Sequence, residues 1–233
     1  MKWQTIKLSR DRKSYSFDGE KVFEKEFIEA LKFHAPGLAA VADESGSYHI
    51  DAYGKELYKE RYSRSFGHYC NRAAVVLNEK SFHLTEKGTR AYKEDYVWCG
   101  NFQEDLCAVR DNESKYYHID LEGYRTYKEN YSYVGDYKDG IACVKKENGL
   151  YQHIDTDGNF VHSNEFLDLG IFHKNFATAK DENGWHHIDK NGAELYSQRY
   201  LIIEPFYNGH ALVETFENKK IIIQESGGLV LEL

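Results

Sequence analysis

Two prolines, Pro36 and Pro205, are all that the 233 residues contain. A proline-rich linker or polyproline arm is thereby excluded. The four cysteines, Cys70, Cys99, Cys107 and Cys143, include no Cys-x-x-Cys pair. The spacing of a zinc ribbon or a thioredoxin-like redox site is therefore missing. Cys107 and Cys143 fall in small apolar runs, LCAV and IACV, and read as buried free thiols. No apolar run approaches the length of a membrane helix. The opening MKWQTIKLSR lacks the apolar core of a secretory signal. Basic runs are absent too: 30 Lys+Arg stand against 38 Asp+Glu, for a net charge of −8. An acidic surface repels a phosphate backbone, so neither nucleic acid nor a membrane is expected as a partner. The expected setting is a reducing compartment, most simply the bacterial cytoplasm, with a secreted effector lacking a conventional signal as the other possibility.

What is abundant is aromatic residues and glycine. There are 19 Tyr, 13 Phe and 18 Gly. Aromatics suit the pleated surface of a strand, and glycines without prolines suit many short turns. The glycines have a period. Gly19, Gly54, Gly88, Gly123, Gly158, Gly192 and Gly227 recur every 34 or 35 residues. Seven repeats tile the chain as a single repeat domain, 1–233, at approximately 1–32, 33–65, 66–101, 102–136, 137–171, 172–205 and 206–233.

Each repeat reads as a β-meander. A strand of small residues comes first, as in LAAVA (38–42), AAVVL (73–77) or IACVK (141–145). A polar turn such as KENG or DENG follows, then a strand around Y-H-I-D, then a tight turn holding the periodic glycine. The next segment carries aromatics four apart, such as Tyr58 and Tyr62 or Tyr127 and Tyr131. That spacing also fits one helical turn, but flanking turn signals favour strand and turn. A glycine-aromatic corner, such as GNF or GDY, leads into the next repeat.

One such hairpin is marginal in water and must stack on its neighbours. The expected fold is all-β, a seven-bladed β-propeller, with an open curved β-solenoid as the alternative. Three features favour the propeller. Seven is a common blade number, the small-residue strand suits crowding near an axis, and no terminal repeat reads as a polar cap. Against it, about 35 residues is short for a blade, which usually takes about 40 or more.

The pattern G-L-A-x-V, polar turn with Gly, aromatic, I-D-x-x-G resembles the bacterial WG-type repeats. NGWHHID (183–189) lies nearest, with NGLYQHID (148–155) and SGSYHID (45–51) as variants. The resemblance covers essentially the whole chain. Only Trp185 supplies a Trp at the motif position, and the third repeat reads FHLTEKG in place of YHIDxxG. The resemblance implies a binding or scaffolding role without catalytic residues. HID-rich versions resemble segments that precede enzymatic domains, including methyltransferases, in larger bacterial proteins. A targeting or regulatory module working with a separate enzyme is therefore also implied.

The repeated pairs His49/Asp51, His118/Asp120, His153/Asp155 and His187/Asp189 suggest a metal or a catalytic dyad if met singly. Repetition argues otherwise, because an enzyme needs one such constellation and not four. No G-x-S-x-G, H-E-x-x-H or P-loop pattern is present. A zinc ion holds nitrogen ligands at about 2.0–2.1 Å, whereas equivalent positions on packed sheets lie about 10 Å apart. The pairs are expected to be structural, the imidazole bonded by the carboxylate directly or through backbone and the carboxylate holding the turn. No catalytic residue, metal or cofactor is expected. Candidate binding residues are those that depart from the repeat: Trp98, His162, His173, Trp185 and His186. The expected function is a non-catalytic scaffold for another protein, with a small-molecule or glycan-binding module as the alternative.

Overall fold

The structure is a computed structural model that describes residues 2–233. These residues form seven small antiparallel sheets and one short 3-10 helix, Trp3–Thr5. Sheet one holds Lys7–Leu8, Tyr15–Phe17 and Glu20–Lys21. Sheet two holds Glu29–Ala30, Leu38–Asp43 and Gly46–Asp51. Sheet three holds Arg64–Tyr69, Arg72–Leu77 and Lys80–Thr85. Sheet four holds Trp98–Cys99, Cys107–Arg110 and Tyr116–Ile119. Sheet five holds Tyr133–Val134, Ile141–Lys145 and Tyr151–Asp155. Sheet six holds Asp168–Leu169, Ala177–Asp181 and Gly184–Ile188. Sheet seven has four strands, Ile202–Ile203, His210–Glu214, Lys220–Gln224 and Leu229–Glu232.

Two compact units divide the chain. One comprises the residues up to Ser114 with His118–Arg125, and the other comprises Lys115–Tyr117 with Thr126–Leu233.

In sheets two to seven the small-residue strand is in the middle. Its register places a small side chain opposite the repeated histidine: Ala40 faces His49, Ala74 faces His83, Cys143 faces His153 and Thr178 faces His187. A small partner leaves room for an imidazole on a fully buried strand. Within each unit the core lies between successive sheets, where the small strands are buried. Cys143 of sheet five, for example, packs with Leu169, Phe172, Ala177, Ala179 and Ile188 in and beside sheet six. The four cysteines are free, and Cys99, Cys107 and Cys143 are buried. Burial pushes the Cys143 thiol up to about 12, so it stays protonated.

The aromatic segment after the glycine turn forms neither a helix nor a continuous strand in the second to sixth repeats. It returns to the Y-H-I-D strand at two isolated bridges, such as Ile50↔Glu56 and Ser47↔Tyr62, or Ile154↔Phe160 and Tyr151↔Phe166. It becomes a strand in sheet one, Glu20–Lys21, and in sheet seven, Leu229–Glu232, where the pairing has a bulge at Ile222/Ile223.

The periodic glycine has two reasons to be glycine. At Gly158 φ is +84°, and a Cβ there would lie 2.5 Å from the Cβ of Tyr127, one repeat earlier. At Gly149, in the polar turn, φ is +87° but the space is open. Gly149→Ala is expected to cost about 1–2 kcal/mol, for the left-handed backbone alone. Gly158→Ala is expected to cost a further ~1–3 kcal/mol for the overlap with Tyr127. Urea unfolding of the two variants checks this, and equal losses would refute the packing role.

Candidate functional site

The repeated histidines are fully buried: His49, His83, His118, His153 and His187 are each 0% exposed. Consecutive residues on one face of a strand lie about 7 Å apart. The carboxylate two residues on is therefore beyond the imidazole's reach, and both ring nitrogens bond elsewhere. Nδ1 of His49 lies 2.5 Å from the Tyr58 hydroxyl, and Nε2 lies 2.8 Å from the Phe66 carbonyl. His83 repeats this with Tyr92 at 2.5 Å and the Gly100 carbonyl at 2.9 Å. His187 does so with Tyr196 and, at 2.9 Å, the Glu204 carbonyl. A carbonyl only accepts, so Nε2 carries the proton and the tyrosine hydroxyl donates to Nδ1. For His49, His83, His153 and His187 the accepting carbonyl is seventeen residues on, where the next sheet begins. In sheet one Tyr15 takes the histidine's place, its hydroxyl donating to the Leu31 carbonyl at 2.6 Å.

The aspartates work separately, each closing the glycine turn. Asp51 accepts from the amides of Tyr53 and Lys55 at 2.9 and 3.0 Å. Asp120 accepts from Glu122 and Tyr124 at 3.0 and 2.8 Å. Asp155 accepts from Asp157 and Asn159 at 3.0 and 2.8 Å, and Asp189 from Asn191 and Ala193 at 2.8 and 2.9 Å. The Asx turn is the carboxylate's task in all four copies.

His162 stands where other repeats have the hydroxyl-donating tyrosine. Its Nε2 lies 3.0 Å from His153 Nδ1, while His153 Nε2 lies 2.9 Å from the Gly170 carbonyl. Its own Nδ1 lies 3.1 Å from the Asn164 carbonyl. Only an imidazolium donates at both nitrogens. Burial lowers the pKa of His162, so at neutral pH one of the two contacts lacks its proton. Gly192 meets the His162 ring as Gly227 meets Tyr196, so a tyrosine fits this position.

The remaining candidates are dispersed. Trp98 is 41% exposed on the leading strand of sheet four. Trp185 is half-buried, with the Lys180 ammonium 5.8 Å from its ring. His173 lies at a corner, its ring 5.0 Å from that of Tyr207 and Nδ1 3.4 Å from Lys138 Nζ. The equivalent corner in the first unit pairs His34 with Tyr69 at 4.7 Å. Those two rings border a groove of about 660 Å³ whose lining includes Arg12, Lys32, Phe66 and Asn101. His186 is buried beside Asp181, Glu194 and Arg199. Asp181, Glu194 and Arg199 were not singled out from the sequence. Comparing repeats reveals them, since Asp43, Glu56 and Arg61 hold the same places around Tyr48 in the second repeat.

Sheet seven differs from the others. The position of the repeated histidine is Ile222, opposite Leu212. The last strand has no buried residue: Leu229 is 63% exposed, Val230 49% and Leu231 50%, with Leu233 beyond it at 67%. This strand is also an edge of its sheet.

The comparisons with known proteins bear on the fold. No family model matches the chain, and no curated protein matches its sequence. Solved structures do. BamB from Moraxella catarrhalis matches over 100% of this chain and 86% of its own, at 12% identity and a TM-score of 0.52. Hsv2p from Kluyveromyces lactis matches over 95% and 89%, at 10% identity and a TM-score of 0.50. The computationally designed Ika8 protein matches over 98% and 85%, at 10% identity and a TM-score of 0.52. BamB and Hsv2 are β-propellers. With seven sheets, the chain has the fold class of a seven-bladed β-propeller.

Two outcomes follow from the histidine geometry. Burial pulls His49, His83, His153 and His187 down to about 4, from about 6.5 in an unfolded chain. The stability they contribute is fully present above pH 6.5 and is lost as pH falls towards 4. The urea midpoint is expected to drop steadily across that window, and a flat profile would contradict the buried neutral rings. His162→Tyr is expected to stabilise the protein by about 1 kcal/mol at pH 7.5. An unchanged or lowered urea midpoint would show that the histidine pair is already satisfied.

Proposed function

We propose that this protein is a non-catalytic scaffold that docks another protein on sheet seven. The observation that carries this reading is the exposed apolar edge strand Leu229–Glu232. An unpaired edge row of N–H and C=O groups is a template for an added strand, and leucine side chains beside it supply apolar contact. A patch of this kind on a soluble domain marks an interaction surface more often than chance exposure does. The histidines and aspartates that first suggest chemistry are engaged within the fold, which supports a non-enzymatic role. The resemblance to WG-type repeats agrees with such a role and with work beside a separate enzyme. Free buried cysteines agree with a reducing compartment such as the cytoplasm.

A second reading rests on the groove beside His34 and Tyr69. Its Arg12, Lys32 and the adjoining rings of His34 and Tyr69 suit a small anionic or aromatic ligand. The first reading is favoured because Arg12 is already paired with Glu29 at 2.9 Å.

Crosslinking of the full-length protein in a lysate of its source cells, with mass spectrometry, tests the docking surface. The expected result is a partner whose crosslinks map to Lys219 and Lys220 and whose recovery falls by ~10-fold or more in the Leu229→Ser/Leu231→Ser variant. Recovery unchanged in that variant, with its melting temperature retained, would remove sheet seven as the surface.

A further inference from the structure

The sixth repeat contains a polar cluster that is closed in the second repeat and open here. In the second repeat the Tyr48 hydroxyl donates to Asp43 Oδ2 at 2.9 Å, which closes the cluster. Arg61 lies over the Tyr48 ring at 3.9 Å and pairs with Glu56 at 2.8 Å. In the sixth repeat the corresponding residues are Asp181, His186, Glu194 and Arg199. Imidazole replaces phenol, and the cation paired with the aspartate is Arg199, where the second repeat uses Lys25. His186 Nδ1 has no hydrogen-bond partner, although the residue is only 1% exposed. That nitrogen lies 3.9 Å from Asp181 Oδ2, aimed into the cluster.

One ligand atom from each of Asp181, His186 and Glu194 lies within 4.8 Å of the others. A zinc ion held at about 2.0–2.2 Å brings its ligand atoms to roughly 3.3 Å from one another, so small side-chain rotations complete the shell. Asp181 Oδ1 is fixed by the amides of Asn183 and Gly184 at 2.8 and 3.1 Å, which leaves Oδ2 for the cluster. Arg199 now lies among these groups, donating to Asp181 Oδ2 at 2.7 Å and to Glu194 Oε1 at 2.6 Å. It is a monovalent cation against two carboxylates. A divalent ion balances that charge fully and also takes up the lone pair of the imidazole nitrogen, which Arg199 leaves without a donor.

We propose that Asp181, His186 and Glu194 form a binding site for a divalent transition-metal ion of the zinc type, for which Arg199 is the competing cation. One nitrogen and two carboxylate oxygens are a donor set that zinc accepts, with a fourth place for water. The site lies within the second compact unit and is independent of the docking surface on sheet seven.

The test is calorimetric titration of the untagged, chelator-treated full chain with zinc chloride at pH 7.5, with cobalt(II) absorption as a second readout. One ion per chain is expected, with the intense visible bands of four-coordinate cobalt. His186→Tyr, which restores the residue of the second repeat, should weaken binding by ~10-fold or more, and Arg199→Gln should tighten it by a similar factor. If His186→Tyr melts early, Glu194→Gln at the half-exposed rim serves with the same readouts. Absence of a stoichiometric site, or a site that survives either ligand substitution, would overturn the assignment and leave adventitious binding by surface histidines only.

Discussion

The hydrogen bond from a buried imidazole to a carbonyl seventeen residues further on is the constraint around which the second, third, fifth and sixth repeats are arranged. It links the Y-H-I-D strand of one sheet to the start of the next, as His49 does with Phe66 and His187 with Glu204. A single such bond contributes only about 1 kcal/mol net. Its influence comes from what it forbids. A buried ring with an unpaired nitrogen costs about 1–3 kcal/mol, so the tyrosine nine residues on must be present to donate, and the small residue opposite must leave space. The same tyrosine then packs its ring against the periodic glycine of the following repeat, as Tyr196 does on Gly227. Histidine, tyrosine, glycine and the small strand are thus one interlocked device.

That device separates two kinds of variation. At His162 and at His68 the exchanged side chain stays inside the framework. His162 replaces the donating tyrosine. His68 replaces the corner aromatic and meets His49 edge to face at 4.7 Å, as Phe102 meets His83. Neither of its nitrogens has a partner, and burial lowers its pKa to about 3. The neutral ring serves as an aromatic surface. At His186 and in sheet seven, exchange has a different consequence. His186 turns a closed polar cluster into one with an unpartnered buried nitrogen, and Ile222 with the strand beyond it turns a bonded face into an apolar one. The two proposed binding surfaces lie at these exchanges.

The repeat period, the seven-fold count, the order of segments and the all-β class were legible in the sequence. Glycines 34 or 35 residues apart and runs such as LAAVA and IACV are local signals, and strands and tight turns are local structures. The aspartate's place in the turn was legible for the same reason, since an Asx turn spans only four residues. The imidazole's partners were not. Tyr58 and Phe66 lie nine and seventeen positions beyond His49, and nothing local in YHID indicates that the ring reaches past Asp51 to meet them.

What the sequence by itself determined is the repeating β-meander and the demand that each copy pack on another, because hydrophobic period and turn chemistry act within about ten residues. Tertiary structure alone decided which polar atoms find partners. The Asp181–His186–Glu194 cluster draws on two strands and a returning segment, and the exposure of Leu229 and Leu231 depends on sheet seven having no covering layer over its last strand. Hydrogen bonding and burial are satisfied or left unsatisfied by neighbours in space, so they are settled only when the chain is folded.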